Sequence, residues 1–72
     1  MPWYVVVTRD RHRTPISRHV TVEDAGNKIH RERSFDRWTV LAQEGRANGP
    51  ARPLTHLERL KLERQLYPSL HE

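Results

Sequence analysis

The sequence predicts an α+β fold with a small antiparallel sheet of about three strands, followed by a loosely attached C-terminal helix or a partly disordered tail. Three observations lead to this prediction. An apolar, β-branched segment opens the chain, a helix-start signal follows a second strand-like segment, and glycine and proline cluster after residue 43. The predicted units are a strand–strand–helix–strand unit over residues 1–43, a flexible linker over 44–53, and a helix or tail over 54–72.

The first strand is predicted from Trp3 to Thr8, where β-branched and aromatic residues dominate. Both faces of this segment are largely apolar, which is typical of a central strand or of one covered on two sides. The residues from Arg9 to Thr14 then form the turn. Because this turn contains no glycine, we expect a long, mobile loop that serves as a contact surface.

The second strand is predicted from Ile16 to Val20. Pro15 lies at its edge, because proline cannot donate a hydrogen bond to a neighbouring strand. The alternation predicts that Ile16 and Val20 point inward, while Ser17 and His19 point outward. The same alternation places Arg18 on the inward face.

The segment TVED at residues 21–24 is a helix start, with Thr21 as the N-cap and Asp24 three residues later. The helix should run from Val22 to about Arg33. Its buried stripe is Val22, Ala25 and Ile29, which recur at helical spacing. Gly26 lowers helix stability by about 1 kcal/mol relative to alanine, and we attribute it to a close approach of the helix to the sheet.

The third strand is predicted from Phe35 to Gln43, with Trp38, Val40 and Ala42 on one face. After the linker, Thr55 and Glu58 form a capping box, and Pro68 ends the second helix. Leucine recurs so often in this helix that its apolar arc exceeds the usual width of about 100°. Three interpretations stay open: a helix packed on the sheet, a partner-binding helix, and a partly disordered tail.

Length and composition exclude several classes of protein. A chain of 72 residues makes one domain, and it contains no cysteine for disulfides or thiolate metal sites. There is no apolar run of about 18 residues and no signal-peptide pattern, so we expect a soluble, intracellular protein. No phosphate-binding loop, nucleophile motif or metal-binding histidine spacing occurs. We therefore expect neither an enzyme nor a cofactor.

Arginine is the most informative residue type. The formal net charge is +4, and 11 of the 13 basic residues are arginine. Arginine binds carboxylates and phosphates bidentately and is enriched at protein interfaces. One group of basic residues lies around the first hairpin, where it would make charge-assisted contacts to acidic groups of a partner. A second group of arginines lies at the end of the helix and after it. The candidate partner-binding residues are Arg9, Arg11, His12, Arg13, Arg18, Arg31, Arg33 and Arg37.

Three interpretations of this charge are open. The first is a monomeric, non-enzymatic module that docks on a large protein partner. The second is a small basic protein that binds DNA or RNA directly through phosphate contacts. The third is an ordinary solvated surface. The mixed-sign surface, the arginine-rich hairpin and the apolar terminal helix together favour the first.

The size of the chain, its arginine-rich composition and its layout of a compact unit followed by a tail resemble small bacteriophage regulators of bacterial RNA polymerase. The resemblance covers the general layout of the whole chain. It implies a cytoplasmic protein of a bacterial or infected bacterial cell that binds the host polymerase, blocks initiation at host promoters and could alter termination. No residue role is transferred from it.

Overall fold

The computed structural model describes residues 2–33, 36–45 and 50–67. The strands are β1 (Trp3–Thr8), β2 (Pro15–His19), β3 (Trp38–Gln43) and β4 (Ala51–Arg52), and the helices are α1 (Val22–Arg31) and α2 (His56–Leu66). The strands form one antiparallel sheet in the order β2-β1-β3-β4. The predicted α+β class is thus confirmed, and a short fourth strand joins the three that were expected.

The central position of β1 agrees with its sequence, because an apolar strand needs cover on both sides. Its valines at 5, 6 and 7 are all buried. Val6 belongs to the main core between the sheet and the helices. That core consists of Val6, Val22, Ala25, Ile29, Val40, Ala42, Leu54 and Leu62, with Tyr4, Trp38 and Leu66 packed against it.

The orientation predicted for β2 is wrong. Ser17 pairs with Val6 and His19 with Tyr4, so both polar residues share the face that carries the core. Ile16 and Val20 are instead 42% and 56% exposed. The polar residues are accommodated because they bond to each other and to α1, as described below, whereas apolar burial alone would have favoured the opposite orientation.

Helix α1 begins as predicted, with the Thr21 hydroxyl accepting a hydrogen bond from the Asp24 N–H at 3.1 Å. Its predicted stripe is buried, and Ile29 is only 1% exposed. The attribution of Gly26 to the sheet is wrong, because Gly26 faces α2. A Cβ at this position would lie 2.8 Å from Cβ of Gln65, so the missing side chain lets the two helices approach each other closely.

Three predicted elements have boundaries that differ from the structure, and the first is β2, which spans Pro15–His19 instead of Ile16–Val20. Helix α1 ends at Arg31, two residues before the expected end, and β3 begins at Trp38. Phe35, the predicted start of that strand, lies outside the described residues, as do parts of the predicted linker and the end of the C-terminal segment. The described part of the linker contains β4, which pairs with Ala42 and Gln43.

Helix α2 is integrated into the fold by apolar and polar contacts. Leu62 and the preceding Leu54 are each 9% exposed and belong to the core. The helix lies alongside α1, while Leu57 remains 63% exposed. Its attachment is therefore tighter than the composition of the linker indicated, and the packing surface is chiefly α1.

A polar network at the N-terminal end of α2 ties this helix to β1 and β4. The Tyr4 hydroxyl donates to Glu58 Oε2 at 2.6 Å, and Arg52 Nη1 donates to Glu58 Oε1 at 2.9 Å. Arg52 also bonds to Glu44, and the predicted capping box of Thr55 and Glu58 is present. We call these five residues the polar network. It joins segments that are far apart in sequence.

Ionisation in the polar network responds to these contacts. The bond from Arg52 is the main cause that lowers the pKa of Glu58 to about 2, and the bond from Tyr4 contributes. Burial, and then the bond to Glu58, raise the pKa of Tyr4 to about 12. Both pKa shifts favour the ionised Glu58 and the protonated Tyr4, which are the forms that make the hydrogen bonds of the network at neutral pH.

In the part of the chain that the structure describes, no helix has both the length and the apolar character needed to cross a membrane.

Candidate partner-binding site

The topology brings most of the predicted arginines to one end of the sheet. Strand β1 ends there, and β3 starts there because Thr8 pairs with Trp38. Helix α1 starts near the opposite end of the sheet and runs back, so its last turn returns to the same end. We call the residues gathered there the basic end: Arg9, Arg11, His12, Arg13, Arg31, Arg33 and Arg37.

Asp10 organises the bend between β1 and β2. Its Oδ1 accepts hydrogen bonds from the Thr8 hydroxyl at 2.8 Å and from the backbone N–H groups of His12 and Arg13 at 3.0 and 3.1 Å. The Thr14 N–H donates to the Thr8 hydroxyl at 2.9 Å, which closes the bend. The absence of glycine predicted a long, mobile loop. In the structure the bend is instead a turn that is held by hydrogen bonds to the Asp10 side chain.

The Asp10 carboxylate is thus held in place by hydrogen bonds from backbone N–H groups of the same bend. The Thr8 hydrogen bond is the largest cause of a lowered pKa for Asp10, and the two backbone bonds and the Arg13 charge act in the same direction. The carboxylate stays ionised and holds the turn. The arginine and histidine side chains around it are exposed.

Two arginines of the basic end have left-handed backbones. Arg13 has φ 50° and Arg33 has φ 52°, and in the described segments they are the only residues other than glycine with positive φ. This conformation costs roughly 1–2 kcal/mol for a residue with a Cβ. Glycine is the usual residue at both kinds of position, the turn and the end of a helix. Arginine at both therefore needs a reason other than local stability.

Hydrogen bonds to backbone carbonyls fix the position of Arg9 and Arg37. The Arg9 N–H donates to the Arg37 carbonyl at 2.9 Å, and the Arg9 Nε donates to the Trp38 carbonyl at 2.9 Å. The second bond directs the guanidinium of Arg9 to the side of β3 that faces away from β1. The bend and the start of β3 are thus held together as one surface.

The basic end keeps its charge. In residues 2–33, 36–45 and 50–67, the ion pairs within 4.0 Å involve His19, Lys28 and Arg52, and none includes a residue of the basic end. Arginines that lie near one another and form no ion pair repel mildly, and they attract an anionic partner over a distance of about 8–10 Å at physiological salt. This end is the strongest candidate for partner binding in the described structure.

Arg18 does not join the basic end. Its guanidinium carbon lies 4.6 Å from the centre of the Trp3 ring, on the sheet face opposite the main core. The stacking covers part of the indole, which is 36% exposed. Sequence proximity to the hairpin suggested a common site, but β2 carries Arg18 towards the other end of the sheet.

A groove adjoins the basic end, between β3 and α2. Its volume is about 390 Å³, and Val40, Leu54, Leu62 and Leu66 supply apolar wall. Arg9, Arg13 and Arg59 also line it, together with Glu63. The sequence did not predict Arg59 as a site residue, because Arg59 lies in the second helix, far from the basic residues of the hairpin in the chain. Only the packing of α2 brings it to the groove that adjoins the bend.

A hydrogen-bonded chain of Ser17, His19 and Asp24 was also missed from the sequence. Ser17 Oγ lies 2.7 Å from His19 Nε2, and His19 Nδ1 lies 2.8 Å from Asp24 Oδ2. The order of groups matches a serine–histidine–aspartate triad. However, neither Ser17 nor His19 lines the groove, and the chain connects β2 to the first turn of α1. The spacing of the three residues follows no known motif, so only the fold could reveal the contact.

The described residues contain no group of three or more histidine, aspartate or glutamate side chains arranged to hold a metal ion. Comparisons with protein families, with curated proteins and with solved structures found no match to this chain.

Proposed function

We propose that the protein is a non-enzymatic binding module that docks through its basic end on an acidic surface of a large macromolecular partner. Bacterial RNA polymerase is the partner that we propose, on the strength of the resemblance to small phage regulators. In this proposal the bound protein inhibits transcription, acts as a monomer and works in the bacterial cytoplasm.

The observation that carries the proposal is the construction of the basic end. Its arginines come from three separate segments of the chain. Backbone N–H groups of the bend hold the Asp10 carboxylate, and no ion pair among the described residues includes an arginine of the basic end. Two of them occupy the left-handed region. Strain kept at exposed charged residues is typical of functional positions, because folding alone would favour glycine there.

The structure offers more support to a protein partner than to the alternative, direct binding of DNA or RNA. Tyr4 and Trp38 pack against the core, and Tyr4 is also bonded to Glu58, so neither ring is presented as a stacking platform. The neighbouring groove is partly apolar, which suits protein side chains better than phosphates. The alternative is retained as an outcome of the experiment below.

We assign the chain of Ser17, His19 and Asp24 a structural role in this proposal. It satisfies a histidine side chain that is only 11% exposed and that would otherwise lie unpaired at the junction of β2 and α1. The same chain explains why two polar residues can face the core.

The test measures binding of the tagged protein to purified bacterial RNA polymerase by biolayer interferometry. The variant changes Arg11 and Arg13 to glutamate, and the matched control changes Lys61 and Arg64 of α2 to glutamate. Both carry the same change in net charge. We expect the first to weaken binding on the order of tenfold or more, mainly through slower association at low salt, and the control to have a much smaller effect.

A nuclease-treated pull-down from bacterial lysate separates the two classes of partner. A polymerase band that survives nuclease and is lost with the Arg11 and Arg13 change supports the proposal. If the protein instead binds nucleic acid, the same change should reduce the salt slope of that binding by about 2. Equal binding of polymerase by the variant, the control and the unchanged protein would refute the assignment of the basic end.

A further inference from the structure

A shallow cleft lies beside the groove, on the side of the bend. It has a volume of about 230 Å³ and is lined by Arg9, Arg13 and Thr39. The same three residues also line the groove, so the cleft and the groove adjoin. Thr39 precedes the core residue Val40 in β3, so its side chain lies on the sheet face opposite the main core. The cleft thus brings two arginines and one threonine together outside the core.

Both arginines of the cleft are held by hydrogen bonds. The Arg9 Nε donates to the Trp38 carbonyl at 2.9 Å, which leaves the two Nη groups of Arg9 for other acceptors. The Arg13 N–H donates to Asp10 Oδ1 at 3.1 Å, and Arg13 keeps a φ of 50° although glycine would suit the turn better. A ligand therefore meets one positioned guanidinium and a second arginine whose backbone is fixed, which lowers the entropy lost on binding.

The hydrogen-bond donors of the cleft have no acceptor in the part of the chain that the structure describes. No hydrogen bond or ion pair between described residues uses the Thr39 hydroxyl, the Arg9 Nη groups or the Arg13 guanidinium. Asp10 interacts with the Arg13 charge, but its Oδ1 already accepts the hydrogen bonds of the bend. Glu63 lines the groove and not the cleft. Both charged residues that line the cleft itself are therefore positive.

This set of donors matches a phosphate monoester better than a carboxylate. A phosphate monoester carries a charge of about −1.5 to −2 at neutral pH and has three strong acceptor oxygens. Arginine pairs bidentately with phosphate, and two arginines balance the charge of one such group. A carboxylate carries a single negative charge on two oxygens, so it would leave one of the two positive charges without a counter-charge.

The adjoining groove supplies space for the rest of such a ligand. Its volume of about 390 Å³ falls within the range of sites that bind small molecules. The half-buried side chains of Leu41 and Leu66 and the ring of Tyr67, which is 41% exposed, offer apolar contact there. Apolar surface of this kind favours a compact aromatic or aliphatic body over a strongly polar one.

We propose that the cleft and the groove together bind a small phosphate monoester with a compact apolar body. The phosphate lies between Arg9, Arg13 and the Thr39 hydroxyl, and the apolar body lies in the groove against α2. This inference goes beyond the proposed function, because it requires no protein partner. The site shares Arg9 and Arg13 with the basic end, so a bound ligand would compete with docking at that end.

The first experiment titrates the isotope-labelled, full-length protein with phenyl phosphate at pH 7 and follows the chemical shifts by NMR. Three comparison ligands are titrated at the same ionic strength: phenyl sulfate, which has the same shape and one negative charge, benzoate, and inorganic phosphate. We expect phenyl phosphate to bind several-fold more tightly than each of them, with the largest shifts at Thr39 and at the side chains of Arg9 and Arg13. Absence of binding, or equal affinity for any comparison ligand, would overturn the inference, because charge alone or phosphate alone would then explain the result.

The second experiment repeats the titration with three variants. Arg13→Gln removes one guanidinium, and Thr39→Val removes the hydroxyl while keeping a β-branched side chain. Arg64→Gln is the matched control for the loss of one positive charge, because Arg64 is exposed on α2 and lines neither the cleft nor the groove. We expect Arg13→Gln to weaken binding of phenyl phosphate on the order of tenfold and Thr39→Val to weaken it less, with Arg64→Gln close to the unchanged protein. Equal weakening by Arg13→Gln and Arg64→Gln would contradict the assignment of the cleft.

The outcomes distinguish this inference from the proposed function. If phenyl phosphate binds as described but the polymerase is not bound, the cleft inference holds and the proposed partner is wrong. If polymerase binding depends on Arg11 and Arg13 while phenyl phosphate binds no better than phenyl sulfate, the basic end docks on its partner and the cleft is not a phosphate site.

Discussion

Replacement of Glu58 by glutamine removes the charge at the centre of the polar network and leaves its shape almost unchanged. Glu58 accepts hydrogen bonds from Tyr4, from Arg52 and from the Thr55 N–H, the last at 2.9 Å. Glutamine can still serve in the capping box. The substitution therefore tests the ionic contribution to the attachment of α2, apart from helix capping.

The magnitude follows from the pKa of Glu58. Its value is about 2 in the folded protein, against 4.5 as the ordinary value. A difference of about 2.5 units corresponds to ~3 kcal/mol. The side chain of Glu58 is 14% exposed and that of its partner Arg52 is 35% exposed, so screening by water reduces the contribution to about 2 kcal/mol.

The sign of the pH dependence is fixed by the direction of the shift. The folded protein holds the Glu58 carboxylate ionised more strongly than the unfolded chain does. The contribution is therefore complete above pH 4.5, declines as the pH falls from there towards about 2, and is absent below that value. The substitution to glutamine should remove this pH-dependent part alone.

The assay is thermal and urea unfolding, followed by circular dichroism between pH 2 and pH 7. At pH 7 we expect Glu58→Gln to unfold about 10 °C lower, from ~2 kcal/mol at about 4–8 °C per kcal/mol. The two stability curves should converge near pH 2. Glu44→Gln is the control, because Glu44 is 56% exposed and should matter less. Curves that run parallel between pH 5 and pH 2 would refute the argument.

Three further predictions concern packing and backbone strain. Gly26→Ala should lower the free energy of unfolding by ~1 kcal/mol despite the helix preference of alanine, because a Cβ would lie 2.8 Å from Cβ of Gln65; a rise in thermal stability would contradict this. Arg13→Gly should leave stability unchanged or raise it by up to ~1 kcal/mol, while polymerase binding weakens; a clear loss of stability would assign Arg13 a folding role. A chain shortened to residues 1–43 should lose cooperative thermal unfolding, because it lacks the core residue Leu62; a retained transition would show that α2 is dispensable.

The elements that sequence alone determined are those with local signals. The caps at Thr21 and Thr55 depend on side chains bonding to backbone within three residues, and both are present. The alternation in β3 placed Val40 on the core face, and the all-apolar character of β1 identified a central strand. Short-range hydrogen bonds and the fixed period of a strand are sufficient for these predictions.

Tertiary structure decided the features that depend on distant residues. The pairing of β2 with β1 and the contact of His19 with Asp24 set which face of β2 is buried, against the apolar pattern. The reason for Gly26 lies in α2, almost forty residues further along the chain. Clusters formed between segments cannot be read from spacing, because they depend on where each segment returns in the fold.

The candidate site shows the same division. Sequence identified the arginines by type and density, since their chemistry does not depend on the fold. It could not separate Arg18, which β2 carries to Trp3, or include Arg59, which α2 brings to the groove next to the bend. Charge is a local property of the sequence, but a binding surface is an arrangement of charges in space, and the packing of strands and helices alone sets that arrangement.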